Sequence, residues 1–200
     1  MPSKKIYHHG DLKNALIKAG VEILAKDGVS GLSLRKVASK AGVSHTAPYS
    51  HFADKQALIA AISTEGFRQL YQCLSDVVDK YKSNPKKQLI EAAWAYVQFA
   101  MDDPDRFKVM FSGVLQKEKQ YPEFVEESQR NFQLVKMIVE VNQASGVLRG
   151  GSSDLAALSA WGIIHGFVML MLEGQISHTV LEQATLRELV EFQLKQIMIK

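Results

Sequence analysis

Apolar residues recur at helical spacing along most of the chain, whereas the two-residue alternation typical of half-buried strands is scarce. Near the amino end this spacing predicts a helix over about residues 9–27, which Gly28 ends. The predicted buried face of this helix is Leu12, Leu16, Ala19 and Ile23. The pattern as a whole predicts an all-α protein.

Helix start and stop signals divide the rest of the chain. Asp54 can cap a long helix that runs to about Tyr81, and a break with the sequence KSNPKK follows. The predicted buried face of that helix is Leu58, Ile62, Phe67, Leu70 and Leu74. Further helices are predicted over roughly 85–101, 104–111, 122–143 and 154–173, and a last helix begins at Thr185 with a capping box to Glu188. With two short helices in the segment 32–58, about nine helices result.

The segment 32–58 holds two short predicted helices joined by a tight turn. Ser33 can cap the first helix, because its hydroxyl can accept a hydrogen bond from an unpaired backbone N–H. Gly42 stands where the helix should end in a left-handed conformation, which glycine tolerates best. Ser44 is the predicted cap of the second helix, and Pro48 then falls in its first turn, where backbone N–H groups have no partner. Two helices joined by such a turn are typical of the DNA-binding helix-turn-helix.

The same segment resembles the DNA-binding domain of the tetracycline-repressor (TetR/AcrR) family. The matching residues are Gly31, Ser33, Arg35, Val37, Ala38, Ala41, Gly42, Val43, Ser44, Tyr49, His51, Phe52, Lys55 and Leu58. Residues 7–12 resemble the start of helix one in a subgroup that also has Trp-x-x-x-His-Gly, matched here by Trp161, His165 and Gly166. The resemblance implies a three-helix DNA-binding head and a C-terminal helical domain for dimerisation and ligand binding.

Charge is distributed unevenly between the two predicted domains. Residues 1–55, the predicted DNA-binding domain, hold nine basic and four acidic residues, a net charge of +5. Residues 56–200, the predicted ligand-binding and dimerisation domain, hold fifteen basic and seventeen acidic residues, a net charge of −2. A basic module joined to a near-neutral one fits a DNA-binding head on a body that does not bind DNA.

In DNA binding, phosphate contacts supply most of the affinity and base contacts supply the sequence specificity. His45, Thr46 and Ala47 stand at the amino end of the second helix of the motif, the part that usually enters the major groove. The resemblance implies phosphate contacts from Tyr49, His51 and Lys55. The remaining candidates for backbone contacts are Ser33, Arg35, Ser44, Lys4 and Lys5. Lys4 and Lys5 either reach the minor groove or form a solvated tail. The second helix of the motif has few long basic side chains, which favours recognition of DNA shape.

A helix-turn-helix head normally binds two half-sites of a palindromic operator as a symmetric dimer. The resemblance locates the homodimer interface on the last two helices. Gly162 and Gly166 permit close approach of backbones, and the apolar helix over 154–173 has more apolar surface than a small monomer can bury. The further predicted interface residues are Phe167, Met169, Leu186, Leu189 and Val190. Burial wholly inside one subunit is the alternative.

The resemblance also implies a pocket for a small effector in the C-terminal domain. The candidate pocket residues are Trp94, Phe99, Phe107, Met110, Phe111, Phe132, Met137, Trp161 and His165. Aromatic and Met residues at helical spacing fit an ordinary core equally, and for His165 a structural hydrogen bond ranks first. An apolar lining indicates a hydrophobic or amphipathic effector.

Other classes of function lack their characteristic residues. There is no glycine-rich nucleotide loop, no metal-ligand spacing and no nucleophile motif, so neither an enzyme, a cofactor nor a metal is expected. Residues 155–172 carry no Lys, Arg, Asp or Glu, and we interpret them as a buried helix rather than a membrane span. The single Cys73 and the absence of a signal peptide favour the cytoplasm.

The sequence thus favours a dimeric transcription repressor that an effector releases from its operator. The alternative is a DNA-bound structural or interaction protein on the same fold, which responds to no small molecule. A body without a cavity and binding sites scattered outside promoters would favour that alternative.

Overall fold

The computed structural model of the protein describes residues 9–115 and 118–199, with side chains from Leu12 onward. These ranges contain no β-structure beyond an isolated antiparallel bridge between Leu148 and Met198. Two 3-10 turns lie at Ala47–Ser50 and Glu118–Gln120. The α-helices are α1 (His9–Gly31), α2 (Leu34–Ala41), α3 (Lys55–Lys80), α4 (Pro85–Asp102), α5 (Pro104–Phe111), α6 (Pro122–Ala144), α7 (Ser153–Leu172), α8 (His178–Gln183) and α9 (Leu186–Lys195). The predicted all-α class is confirmed.

The chain divides into two compact units. The first contains residues up to Gly66 together with residues 105–126, and the second contains residues 67–104 and 127–200. The predicted domain boundary between residues 55 and 56 lies at the first residue of α3, whereas this division crosses α3 at Gly66. The extent of the two functional domains stays a prediction.

The first unit is built around the apolar faces of α1, α2 and α3. Leu16, Val37, Leu58 and Ile62 are fully buried and belong to one core. Each such side chain contributes about 1.5–3 kcal/mol when it is removed from water. The predicted stop of the first helix coincides with a break in α1 at Gly28, whose φ of 64° and ψ of −173° are not helical.

The start of α3 is capped as predicted. The backbone N–H of Ala57 donates to Asp54 Oδ1 over 2.8 Å. All five residues of the predicted buried face of α3 have at most 5% of their surface exposed. On the outer side of this core, a Cβ at Gly66 would overlap the sulfur of Met110, so α3 and α5 approach each other closely where glycine stands.

In the second unit, α4 packs against both α7 and α9. A bidentate ion pair links α9 to α4, because the Arg187 guanidinium donates to the two carboxylate oxygens of Glu91 over 2.7 and 3.1 Å. This contact lowers the pKa of the Glu91 carboxyl below its usual value. Within the unit, the buried amide of Asn131 donates to the carbonyl of Phe67 over 2.8 Å and so ties α6 to α3.

Most predicted helices are present, and two differ from the prediction. The capping box of Thr185 and Glu188 at the start of α9 is confirmed. The helix α8 was not predicted, because none of its residues is buried and it therefore has no apolar stripe to detect. The second helix of the predicted helix-turn-helix is a short 3-10 turn, as described below.

Candidate functional site

The first half of the helix-turn-helix has the predicted caps. Ser33 Oγ accepts a hydrogen bond of 3.2 Å from the backbone N–H of Lys36 at the start of α2. Gly42 ends α2 with a φ of 70°, and its N–H donates to the carbonyls of Ala38 and Ser39. Because an L side chain is strained at this φ, glycine is what allows the chain to turn here.

The second half differs from the prediction. We call residues 44–51 the recognition segment. The predicted α-helix with a Ser44 side-chain cap is wrong, because only a 3-10 turn forms over Ala47–Ser50. The hydroxyl of Ser44 instead pairs with that of Thr46 over 3.1 Å, and Thr46 occupies the N-cap position without a capping bond. Pro48 has no N–H to donate, and the bonds that remain span three residues, such as that from the N–H of Tyr49 to the carbonyl of Thr46.

One side of the recognition segment is open to solvent. Ser44, His45 and Thr46 are exposed, and Ala47 is half-buried. Tyr49 has 61% of its surface exposed, so it is not a core residue. Pro48 is buried and anchors the segment on the unit. The result is a protruding surface of hydroxyl, imidazole and phenol groups, which can donate and accept hydrogen bonds at base edges and phosphates.

His51 and Lys55 lie behind this exposed surface. His51 is half-buried, and its Nε2 is buried without a hydrogen-bond partner in the described part of the chain. Lys55 Nζ donates to the carbonyl of Val29 over 2.5 Å, so this ammonium joins the start of α3 to the end of α1. The Lys55 ammonium has three hydrogens to donate, so it can keep the bond to Val29 and still make the predicted contact with a phosphate.

The outer face of α2 carries the remaining basic candidates. Arg35 is exposed. Lys40 pairs with Glu22 over 2.9 Å and lowers the pKa of the Glu22 carboxyl. Lys4 and Lys5 lie outside the described residues. The structure therefore brings Ser33, Arg35 and the recognition segment into one compact unit and leaves the predicted amino-terminal arm undescribed.

The second unit contains a partly open apolar cavity of about 60 Å³. Its lining comes from α3, α4, α6, α7 and α9, and the residues are Leu74, Leu89, Ala92, Ala93, Tyr96, Val135, Ile138, Val139, Ala160, Trp161, Ile164 and Leu194. None of these side chains is charged. In the described part of the chain, no three His, Cys, Asp or Glu side chains form a metal-binding group.

Three side chains from α4 and α7 form the polar end of this cavity. Trp161 Nε1 donates to Tyr96 Oη over 3.1 Å, and Tyr96 Oη lies 2.8 Å from His165 Nδ1. Burial raises the pKa of the Tyr96 hydroxyl and lowers the pKa of His165. Both groups are therefore neutral near pH 7. Two residues of the predicted Trp-x-x-x-His-Gly motif thus meet at one tyrosine.

Few of the predicted pocket residues line this cavity. Trp161 does, and His165 and Phe132 touch it only through Tyr96 and through the Trp161 ring. Trp94 lies beneath the Arg187 guanidinium and Phe99 is half-buried, and neither lines the cavity.

The remaining pocket predictions concern residues that lie away from this cavity. Phe107, Met110 and Phe111 belong to the first unit, and Met137 is 42% exposed on α6. Helical spacing identifies an apolar face but not the core that it joins, which is why these residues were assigned to one pocket. Tyr96 was missed, although a buried tyrosine needs a hydrogen-bond partner and His165 was the one polar group in an apolar run.

The outer side of α7 carries an unusual apolar surface. We call its exposed residues the α7 stripe: Leu155, Leu158, Gly162, Gly166 and Leu170. A Cβ at either glycine would meet nothing within 4 Å, so the backbone is open there. By length and composition α7 can cross a membrane, and only 28% of its apolar window is buried. One side of α7 thus faces outward, and within a single subunit the helix is only partly buried.

The predicted interface residues fall into three groups. Gly162 and Gly166 lie in the stripe. Phe167 is 7% exposed and Val190 is fully buried, so packing within one subunit accounts for most of the surface of both side chains. Half-buried positions are Met169, Leu186 and Leu189. Phe192 of α9, which was not predicted, has 59% of its surface exposed.

Comparisons with known proteins match two successive parts of the chain. Residues 16–62 match the family described as bacterial regulatory proteins, tetR family, and residues 89–196 match the tetracyclin repressor-like C-terminal domain. The uncharacterized HTH-type transcriptional regulator YobS of Bacillus subtilis is 24% identical over 162 residues, which cover 81% of this chain and 80% of YobS.

Solved structures share the fold. A protein of unknown function from Rhodococcus sp. RHA1 has a TM-score of 0.80 at 32% identity and covers 97% of both chains. The transcriptional regulator FadR from Bacillus subtilis, solved in complex with stearoyl-CoA, has a TM-score of 0.74 at 20% identity and covers 92% of this chain and 96% of its own.

Proposed function

The chain belongs to the tetR family of DNA-binding transcription regulators, and from that premise we propose that it is a repressor which a small effector releases from a palindromic operator. Members of this family typically regulate transcription without catalysing a reaction, and we propose the same here. The observation that carries the proposal is the exposed recognition segment beside a capped α2, in a basic amino-terminal part of the chain.

For DNA binding, we assign base readout to His45, Thr46 and Ala47. The methyl groups of Thr46 and Ala47 can pack against a thymine methyl, and the His45 imidazole can hydrogen-bond a base edge. Tyr49 is free to contact a phosphate because its phenol projects into solvent. A recognition segment of one 3-10 turn presents fewer side chains than a full helix, which supports a large contribution from DNA shape.

For backbone contacts, we assign Ser33, Arg35 and Ser44 together with His51 and Lys55. Ser33 and Arg35 stand at the start of α2, where the helix dipole and unpaired N–H groups attract a phosphate. His51 is half-buried, and we assign its contact from the family resemblance and from the part of its ring that faces solvent. Lys4 and Lys5 are proposed to add charge near the same duplex.

We propose that the α7 stripe and Phe192 form a homodimer interface. A patch of this kind on a folded monomer marks a contact with another molecule, and the open backbone at Gly162 and Gly166 lets two copies of α7 approach closely. A symmetric dimer presents two recognition segments, which is what a palindromic operator requires.

We propose that the effector binds at the cavity in the second unit. An apolar lining with one polar end has the usual character of a small-molecule site. FadR of Bacillus subtilis holds stearoyl-CoA in its solved structure, which supports a small-molecule effector for this chain as well.

The proposal is tested by selecting DNA from a random duplex pool with the purified protein. We expect a palindrome whose half-sites are one helical turn or a multiple apart. The variant His45→Ala should change the base preference within each half-site. Cys73→Ser, at an exposed position of the second unit, serves as the matched control and should select the same sequence as the wild type.

Compounds that bind the protein are then added to the complex with the selected duplex. A repressor of this kind releases the duplex when an effector binds. Selection of no sequence, or of a single half-site without symmetry, would rule out a palindromic operator. DNA affinity that no bound compound changes would rule out effector control.

A further inference from the structure

We infer that Thr46 recognises the C5-methyl group of one pyrimidine in each half-site, so that a duplex with 5-methylcytosine at this position binds more tightly than the same duplex with cytosine. This inference rests on the proposed DNA-binding function and adds the chemical group that the recognition segment reads. It follows from the kinds of side chain in the segment, from the contact that orients Thr46 and from the hydrogen bonds of the turn.

The recognition segment has no side chain of the kinds that usually read a base through paired hydrogen bonds. Bidentate contacts with purines come from Arg, Lys, Asn or Gln, and Asp or Glu accepts from cytosine. Residues 44–51 have the sequence SHTAPYSH and contain none of these. Apart from single hydrogen bonds, the segment can distinguish bases by apolar contact with the methyl group that thymine carries in the major groove.

The side chain of Thr46 is oriented by a neighbour. Its Oγ1 lies 3.1 Å from Ser44 Oγ, so one of the two hydroxyls donates to the other. Threonine has a hydroxyl and a methyl on the same β-carbon, and a contact that fixes one branch therefore fixes the other. Since the hydroxyl is directed at Ser44, the methyl lies on a different side of the β-carbon. Thr46 is exposed, so a base can approach its side chain.

The backbone around Thr46 is also held in place. The N–H of Tyr49 donates to the carbonyl of Thr46 over 3.2 Å. The N–H of Ala47 donates to the carbonyl of Ser44 over 3.0 Å. Ser50 Oγ donates to the carbonyl of Ala47 over 2.7 Å and closes the turn. Because these bonds form within the segment itself, little conformational freedom is lost when the Thr46 methyl contacts a base.

Two pairs of bases differ by this methyl group alone. Thymine has it and uracil lacks it, and the same holds for 5-methylcytosine and cytosine. The hydrogen-bond donors and acceptors of the two members of each pair are the same, so a protein that reads only hydrogen bonds binds both alike. A protein that reads the methyl group binds the methylated member of each pair more tightly.

The test starts from the duplex that the full-length protein selects. Each thymine is replaced in turn by uracil, and Kd is measured by fluorescence anisotropy. We expect uracil at one thymine position to weaken binding by about 4-fold per half-site, the worth of one buried methyl group, and uracil outside the half-sites to change nothing. At the sensitive position, 5-methylcytosine paired with guanine should bind about 4-fold per half-site more tightly than cytosine paired with guanine.

Two variants assign this contact to Thr46. Thr46→Ser removes the methyl and keeps the hydroxyl that pairs with Ser44, so it should bind both members of each pair equally. Thr46→Val removes the hydroxyl and keeps a methyl, so it should retain both preferences. The matched control is Thr179→Ser on α8, an exposed threonine whose hydroxyl lies 2.7 Å from that of Ser177, again two residues earlier. This control should keep the preferences of the wild type.

The outcomes separate this inference from the proposed function. Equal binding of thymine and uracil at every position of the half-site, a preference that persists in Thr46→Ser, or one that is lost in Thr46→Val would overturn the inference. Selection of no duplex would overturn it together with the proposed function. If the preferences are found but the selected site has no symmetry, or no bound compound changes the affinity, the inference stands and the palindromic operator or the effector control fails.

Discussion

Tyr96 Oη on α4 lies 2.8 Å from His165 Nδ1 on α7. The two residues are 69 positions apart in the sequence, and their contact joins a phenol on α4 to an imidazole on α7. Their contact, completed by the Trp161 indole, links the apolar helix of the second unit to the cavity beside it. The first predictions concern this pair.

Tyr96→Phe should destabilise the protein by about 1–3 kcal/mol, because the Trp161 N–H and the His165 ring each lose a buried partner. Urea unfolding followed by far-UV circular dichroism measures this change. Tyr71→Phe on α3 is the control and should change stability by less than about 0.5 kcal/mol. The face of the Tyr71 ring contacts the Arg130 guanidinium, and phenylalanine keeps that ring. Equal effects in the two variants would contradict the importance of the buried hydroxyl.

His165 should make stability depend on pH. Its pKa is lowered by burial in the folded chain, so the unfolded chain binds a proton more readily. The contribution of neutral His165 to the free energy of unfolding is fully present above the pKa of an unfolded histidine, about 6.5, and it decreases as the pH falls below that value. The His165→Gln variant should lose that part of the pH dependence below the unfolded pKa, as measured by thermal unfolding of both proteins. Parallel pH curves for the two proteins would show that His165 does not titrate differently on folding.

Gly42→Ala should destabilise the first unit by about 1–2 kcal/mol. A Cβ at Gly42 meets nothing within 4 Å, so the expected cost comes from the left-handed backbone alone. Gly150→Ala is the control, because that position is equally open and has no positive φ. Hydrogen exchange in α2, together with urea unfolding, distinguishes the variants. A neutral Gly42→Ala would mean that the turn relaxes to another conformation.

Arg35→Ala should reduce the salt dependence of DNA binding. Each phosphate contact contributes about −0.9 to the slope of log K against log salt, so the loss of one contact per subunit lowers the slope by about that amount for each subunit. Fluorescence anisotropy on the selected duplex at several salt concentrations measures the slope. Lys195→Ala, an exposed position on α9, should leave it unchanged. If the slope for Arg35→Ala equals that of the wild type, Arg35 does not contact a phosphate.

Leu158→Asp should convert the homodimer to monomer. Leu158 is 53% exposed on the α7 stripe, so the folded subunit loses little by the change, whereas a charge in an apolar interface is costly. Sedimentation velocity at micromolar protein concentration measures the oligomeric state. Met137→Asp, at a similarly exposed apolar position on α6, is the control and should remain a dimer. If the Leu158→Asp variant still sediments as a dimer, the dimer interface does not include the α7 stripe.

The sequence by itself determined most of the α-helices, several of their caps and the family. Ser33, Gly42, Asp54 and the Thr185–Glu188 pair act on backbone groups within a few residues, so their roles depend only on local sequence. The apolar spacing also identified the buried face of α3 correctly, because a 3.6-residue period depends on the helix alone.

Other features were decided only by the tertiary structure. The recognition segment became a 3-10 turn because Pro48 and the contact between Ser44 and Thr46 compete with a regular helix over a short stretch. Phe107 and Trp161 have the same apolar character in sequence, yet they belong to different units. Which apolar faces meet, and which polar groups such as Tyr96 and His165 pair inside them, depends on contacts between residues far apart in the chain, and helical spacing carries no information about those contacts.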